Sequence, residues 1–216
     1  MDEAIAPDGS PLAVYRRLPP EPALSTVRSA LPPGATVLEL GSGPGRLTHP
    51  LVAAGHAVVA VDESAEMLAF VQGAETVRAD VWGLDLGRRF DAVLATAHLF
   101  DQPDAGGKLG LLAVCRRHLA PRGVVVVERY PPDWQPGEAA GALGVVGVRL
   151  ADVRPGPGGS FTAAVTYTLE GRSWTQRFAA SVTPDEELER LAAASGLRVA
   201  RRLDDRGSWV LLTAAR

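Results

Sequence analysis

Residues Thr36 to Arg46 read TVLELGSGPGR: a short apolar run interrupted by the acidic Glu39, then glycine at positions 41, 43 and 45. An apolar run closing on glycines reads as a buried strand turning sharply into a helix. Glycine alone takes positive φ without strain and lets another molecule approach the backbone closely. Downstream, AVVAVD (57–62), TVRAD (76–80), FDAVLAT (90–96) and VVVVE (124–128) repeat the strand signal, and helical stretches at 46–54, 65–71 and 107–119 separate them. These β-branched runs are too apolar for a sheet with one wet face, so they predict a parallel sheet covered by helices on both faces. The expected fold is a doubly wound, Rossmann-like α/β core.

Past Tyr130 the pattern changes. GVVGVRLADV (144–153), SFTAAVTYTL (160–169) and RSWTQRFAASV (172–182) are extended runs broken by RPGPGG and EG, with no helix between them. That reads as an antiparallel meander. A helix follows, with Thr183 as N-cap, Pro184 at its first position, Asp185, Glu186 and Glu187 in its first turn and Gly196 past its end. A terminal hairpin, LRVARRL and SWVLLTA, turns at Asp204 to Gly207. The expected organisation is an N-terminal cap or lid over 1–34 that contains a short helix at 22–30, a core formed by 35–130 and 183–216, and an antiparallel insertion over 131–182.

Composition narrows the function. A chain of 216 residues fits one domain and can bury a full core. No apolar run approaches the roughly 18 residues that span a bilayer, and the N-terminus lacks a basic and then apolar leader, so the expectation is a cytoplasmic protein with no membrane partner. A formal charge of −3 argues against a nucleic-acid surface. The single Cys115 excludes an internal disulfide and a thiolate metal cluster, and with Leu112 and Leu119 it fits a helix core.

In a doubly wound sheet a ligand sits outside the carboxyl ends of the strands, over the first glycine turn. Asp62 closes the next strand about twenty residues on, where a carboxylate can accept bonds from ribose hydroxyls. A nucleoside ligand follows. A dinucleotide fingerprint requires glycine or alanine where this chain has Arg46, and Glu39 would repel a pyrophosphate but suits a cation.

The run Glu39-Leu40-Gly41-Ser42-Gly43-Pro44-Gly45 resembles the E-x-G-x-G-x-G signature of class I S-adenosylmethionine-dependent methyltransferases. The resemblance extends through Asp62, SAEML (64–68), Asp80 and FDAVLATAHLF, covering about 35–128. It implies S-adenosylmethionine as cofactor and S-adenosylhomocysteine as product. Glu39, Gly41 and Gly43 would line the methionine moiety, within a turn completed by Ser42 and Gly45, and Asp62, followed by Glu63, would bind the ribose. Met67 would pack on the adenine, Asp80 and the Val81 amide would read its edge, a carbonyl near Ala95 would hold the amino group, and Tyr15 would close a lid. Plainer readings stand beside three of these: Asp80 as a turn cap, Met67 as core, Tyr15 as packing.

Methyl transfer from a sulfonium is an in-line displacement, to which alignment contributes roughly 7 to 11 kcal/mol, whereas a base typically adds about 10² to 10⁴ in rate. His98, after the fourth strand, is the candidate base; its alternative is a bond to a loop carbonyl. The meander and the loop before it offer Tyr130, Trp134, Trp174 and Arg177 as walls of an acceptor pocket, with inter-sheet packing as the alternative. The motifs of nucleobase, glutamine and protein-arginine methylation are missing at their places. A small-molecule N or O acceptor is therefore expected, with no metal, in a monomer or homodimer. Two rivals are a protein that binds S-adenosylmethionine without transferring methyl and a nicotinamide oxidoreductase, the latter lacking both the sixth-position glycine and a Tyr-x-x-x-Lys pair.

Overall fold

The computed structural model describes residues 4–215. Two short helices, α1 (Leu12–Tyr15) and α2 (Ala23–Ala30), precede an alternating series: β1 (Thr36–Leu40), α3 (Thr48–Ala53), β2 (Ala57–Asp62), α4 (Ala65–Leu68), β3 (Glu75–Arg78), β4 (Phe90–Ala95), α5 (Ala105–His118) and β5 (Leu119–Glu128). Four strands then run without an intervening α-helix, β6 (Ala139–Leu143), β7 (Val146–Pro155), β8 (Ser160–Leu169) and β9 (Arg172–Ser181), followed by α6 (Asp185–Ala194), β10 (Leu197–Arg202) and β11 (Trp209–Ala214).

The first sheet has the order β10-β11-β5-β4-β1-β2-β3, with β1 to β5 parallel to their neighbours and the terminal hairpin antiparallel to β5. Strand alternation explains its two cores. Leu38 and Leu40 of β1, with Val59, Val61, Val93, Val125 and Val127, face α5 and α6 through Leu111, Leu112, Cys115, Leu188 and Leu191. The intervening Val37, Val58, Leu94 and Val126 face Leu24, Val27, Leu47 and Leu51 on the α2 and α3 side. Both faces are dry, so the strands carry no polar alternation.

The second sheet, β6-β7-β8-β9, is antiparallel throughout. Its β8–β9 turn places Glu170 and Gly171 at φ 52° and 77°, the pair of positive angles that matches the twist of a two-residue hairpin. On its inner face Phe161, Ala163 and Val165 are buried, and Thr162, Thr175 and Arg177 stand exposed on the other.

Three departures from the sequence expectation have a local physical cause. The meander has a further strand, β6, whose AAGAL lacks any β-branched residue and whose side chains are all exposed, so it carried no strand signal. Helix α5 starts at Ala105, two residues early, because the Asp104 carboxylate accepts from the Gly107 amide at 2.9 Å. Thr183 is not the N-cap of α6: Pro184, extended at ψ 157°, takes that place, and Arg129 Nη1 donates to the Thr183 carbonyl at 2.8 Å. Among the described residues no helix is long and apolar enough to cross a membrane.

Candidate active site

The glycine turn leaves β1 with Gly41, Gly43 and Gly45 at φ 65°, 55° and 93°. The Ser42 amide donates to the Val61 carbonyl at 2.9 Å, and Asp62 closes the turn: its Oδ2 accepts from the Gly43 amide at 2.8 Å and its Oδ1 from the Ser64 amide at 2.9 Å. The three glycines are not equivalent. A Cβ at Gly45 would lie 2.7 Å from the His49 ring and one at Gly41 3.1 Å from Leu99, whereas at Gly43 nothing lies within 4 Å. Gly43 therefore fronts open space, and Gly45 serves the packing of its own helix. Beside the turn, a cleft of about 620 Å³ separates Tyr15, Arg16 and Leu18 from Pro44, Arg46, His49 and Phe70.

Glu39 is buried beneath this turn and accepts from Thr48 Oγ1 at 2.6 Å. Burial lifts its carboxyl from an ordinary 4.5 to about 7; the Thr48 bond and Arg46 oppose the rise, and Asp62 adds to it. A buried carboxyl this reluctant to ionise is stabilised by an arriving cation. At the ends of β2 and β3, Glu63 is also raised, by partial desolvation and then by Asp8, Asp80 and Asp62, which marks an acidic rim. Burial likewise raises Asp62, against the pull of the Ser64 and Gly43 amides. Asp80 is exposed and accepts from the Trp82 amide at 2.9 Å, as a turn cap does. Met67 and Val81 are buried, and Ala95 ends β4 between Leu40 and Val127.

The turn after β4 carries two successive non-glycine residues in the left-handed region, Ala97 at φ 54° and His98 at φ 62°. Such backbone persists only where its surroundings hold it. Here the Ala97 amide donates to Glu128 Oε2 at 2.7 Å, the Asp101 amide to the His98 carbonyl at 3.0 Å, and the Leu99 side chain lies against Gly41. The turn thus bridges the glycine loop and the end of β5. His98 Nδ1 lies 2.8 Å from Oδ2 of Asp101, and the imidazole stacks on Tyr130 at 4.5 Å, which stacks on Trp134 at 4.6 Å. Desolvation pulls the His98 pKa down, but the Asp101 bond and the charges of Glu128 and Asp101 outweigh it and Arg46, and the net displacement is upward.

Residues 37–123 match the family model of a methyltransferase domain. The match makes residues 37–123 a methyltransferase domain, and the fold is that of class I S-adenosylmethionine-dependent enzymes. Among curated proteins none matches it by sequence. Solved structures share its fold: the CcbJ methyltransferase of Streptomyces caelestis is 23% identical, with 95% of this chain and 96% of that chain covered and a TM-score of 0.77. The amino pentose methyltransferase CalS10 of Micromonospora echinaspora, solved with S-adenosylmethionine, is 22% identical (94% and 95% covered, TM-score 0.71). The sugar N-methyltransferase KedS8 of Streptoalloteichus sp. is 20% identical (94% and 92% covered, TM-score 0.70).

In this methyltransferase the four expected acceptor residues fall into three places. Tyr130 and Trp134 join His98 in one aromatic stack, seated edge-on against Phe161 of the antiparallel sheet. Trp174 packs instead with Tyr15, Leu18 and Tyr167, and Tyr15 meets Tyr167 edge-on at 6.1 Å. Arg177 departs from the expectation: it lies an odd number of residues from Trp174, so alternation turns it to the exposed face, where Nη2 lies 3.0 Å from Asp152 Oδ2. The structure also brings to this region groups not singled out from sequence. Glu128 could have been found as the acid closing the fifth strand, in the manner of Asp62 closing the second. Asp101, Leu99 and the Gln176 side chain, which donates to the Asp8 carbonyl at 2.7 Å, had no local signal.

Proposed function

We propose that the methyltransferase transfers a methyl group from S-adenosylmethionine to an amine nitrogen of a small molecule, with His98 accepting the proton. The observation that carries this reading is the turn after β4: Leu99 touches Gly41 while Ala97 is tied to Glu128, which sets a half-exposed imidazole, two carboxylates and the Tyr130 ring beside the glycine cradle. Carboxylates favour a cationic guest such as an ammonium. The open space at Gly43, the Asp62 carboxylate and the buried Glu39 suit a cofactor that carries a ribose and positive charge.

When bound, that cofactor supplies an electrophilic methyl on a sulfonium, which leaves as a neutral thioether. An ammonium has no lone pair, so His98 Nε2 takes one N–H proton before the nitrogen forms its new bond to carbon. Glu128 and Asp101 hold the charge of the arriving ammonium and then of the imidazolium. Glu39 and Gly43 bind the methionine end, Asp62 the ribose, and Met67 and Val81 the base. Residues 4–34 act as a cap, with Tyr15 in it, and 131–182 as the acceptor platform. The amino pentose and sugar N-methyltransferases that share the fold support a nitrogen acceptor.

A paired acceptor panel tests the proposal, with amino sugars set against analogues bearing hydroxyl in place of amine. Methylation of the amines alone is expected. Comparable kcat/KM on the hydroxyl analogues would refute the choice of nitrogen. Co-purified NAD, identified by mass spectrometry, would refute the cofactor.

A further inference from the structure

We propose that Asp101 is the positioning residue of His98: by accepting the Nδ1 proton it fixes the tautomer whose Nε2 lone pair faces the acceptor. The inference rests on His98 being the proton acceptor.

Four observations carry it. The Nδ1 to Oδ2 separation is 2.8 Å, and the two side chains differ sharply in exposure, 47% for His98 and 1% for Asp101. The imidazole therefore turns Nδ1 inward and Nε2 toward the open side, where Nε2 has no hydrogen-bond partner among the described residues. A neutral imidazole has one N–H and one lone pair, so a carboxylate fixed at Nδ1 leaves the lone pair at Nε2.

Asp101 is itself held. Its carboxylate accepts from the Tyr130 amide at 3.1 Å, its amide donates to the His98 carbonyl, and its carbonyl accepts from Ser181 at the end of β9 at 3.0 Å. One residue thereby joins the turn after β4, the loop after β5 and the antiparallel sheet. The left-handed angles at Ala97 and His98 shape the turn that brings the ring to Asp101.

The other groups facing His98 do not substitute for this bond. The Oε2 of Glu128 is engaged by the Ala97 amide, and Glu128 acts on the imidazole by charge alone. Arg46 opposes protonation, and Tyr130 offers its ring face. Burial raises the Asp101 carboxyl and the charge of Glu128 adds to the rise, while His98 and the Tyr130 amide draw it down.

The test is nitrogen-15 NMR of the His98 ring in the full chain, titrated between about pH 5 and 9, for wild type, Asp101→Asn and Asp101→Glu. Wild type should show the Nδ1–H tautomer with a pKa above that of a free histidine. In Asp101→Asn the side-chain amide can donate to Nδ1 and hold the opposite tautomer. The His98 pKa should then fall by about one unit, a tenfold loss of proton affinity, and kcat by about 10² to 10⁴ with cofactor affinity kept. Asp101→Glu should restore part of both.

A wild-type His98 in the Nε2–H form would overturn the proposal, with no variant needed. So would an Asp101→Asn chain that keeps the wild-type tautomer and pKa, whatever its activity, since that result leaves Asp101 only the Tyr130 amide to hold. Failure of the underlying reading is seen separately: His98→Ala with an unchanged pH–rate profile would remove His98 as base even if the tautomer were as expected.

Discussion

Glu39→Gln isolates the electrostatics of the cofactor cradle. The amide keeps the shape of the side chain and an oxygen to accept the Thr48 hydroxyl, and it removes only the charge. In the wild type, burial raises the carboxyl from 4.5 to about 7. A raised pKa in the folded state means that folding binds the proton more tightly. The associated stability is fully present below about pH 4.5 and is lost as pH rises to about 7. At about 1.4 kcal/mol per unit, the loss is about 3 kcal/mol. Glutamine does not titrate, so the stability of the variant relative to wild type should grow by about that amount between pH 4.5 and pH 8. Urea unfolding in steps of pH measures it, and other titrating groups cancel in the difference. Parallel stability curves for the two proteins would refute the burial argument. The same carboxyl should release a proton when the cationic cofactor binds near neutral pH, seen as a binding heat that varies with the buffer. Glu39→Gln should bind more weakly and show no such variation.

His98→Ala should lower kcat by about 10² to 10⁴ and abolish the acidic limb of the pH–rate profile; because the imidazole pKa is raised, that limb in wild type should lie above the free histidine value of about 6.5. Gly43→Ala should lose cofactor affinity and only the roughly 1 to 2 kcal/mol of stability that its left-handed φ implies, because its Cβ enters open space, whereas Gly45→Ala should lose more by adding the His49 contact at 2.7 Å; calorimetric titration and thermal unfolding separate the two. Trp134→Ala should raise the acceptor KM by removing the outer ring of the His98 stack, while Arg177→Ala, on the far face of its sheet, should leave steady-state methylation unchanged.

The glycine turn, the acid at its start and the acid closing β2 were legible in the sequence because each is a local requirement: positive φ at successive turn positions, a strand of known length, a fixed spacing to the next strand end. The parallel core was legible for the same reason, since Val37 and Leu38 must both be apolar when both faces of β1 are covered. Strand alternation puts Trp174 and Arg177, three residues apart, on opposite faces of β9, which the expectation of both as pocket walls overlooked, and it cannot say which face meets the core. Only the tertiary structure decided that, because the inner face is set by what packs on it: Tyr15 and Leu18 from the N-terminal segment and Tyr130 and Trp134 from the loop after β5. Strand β6 escaped notice because its pairing with β7 is a property of the partner and not of AAGAL. The partnership of His98 with Asp101 escaped for a related reason. A separation of three residues means contact on a helix and nothing in a loop, and here the contact exists because Glu128, Tyr130 and Ser181, distant in the chain, hold the turn in a left-handed conformation that its own residues would not adopt.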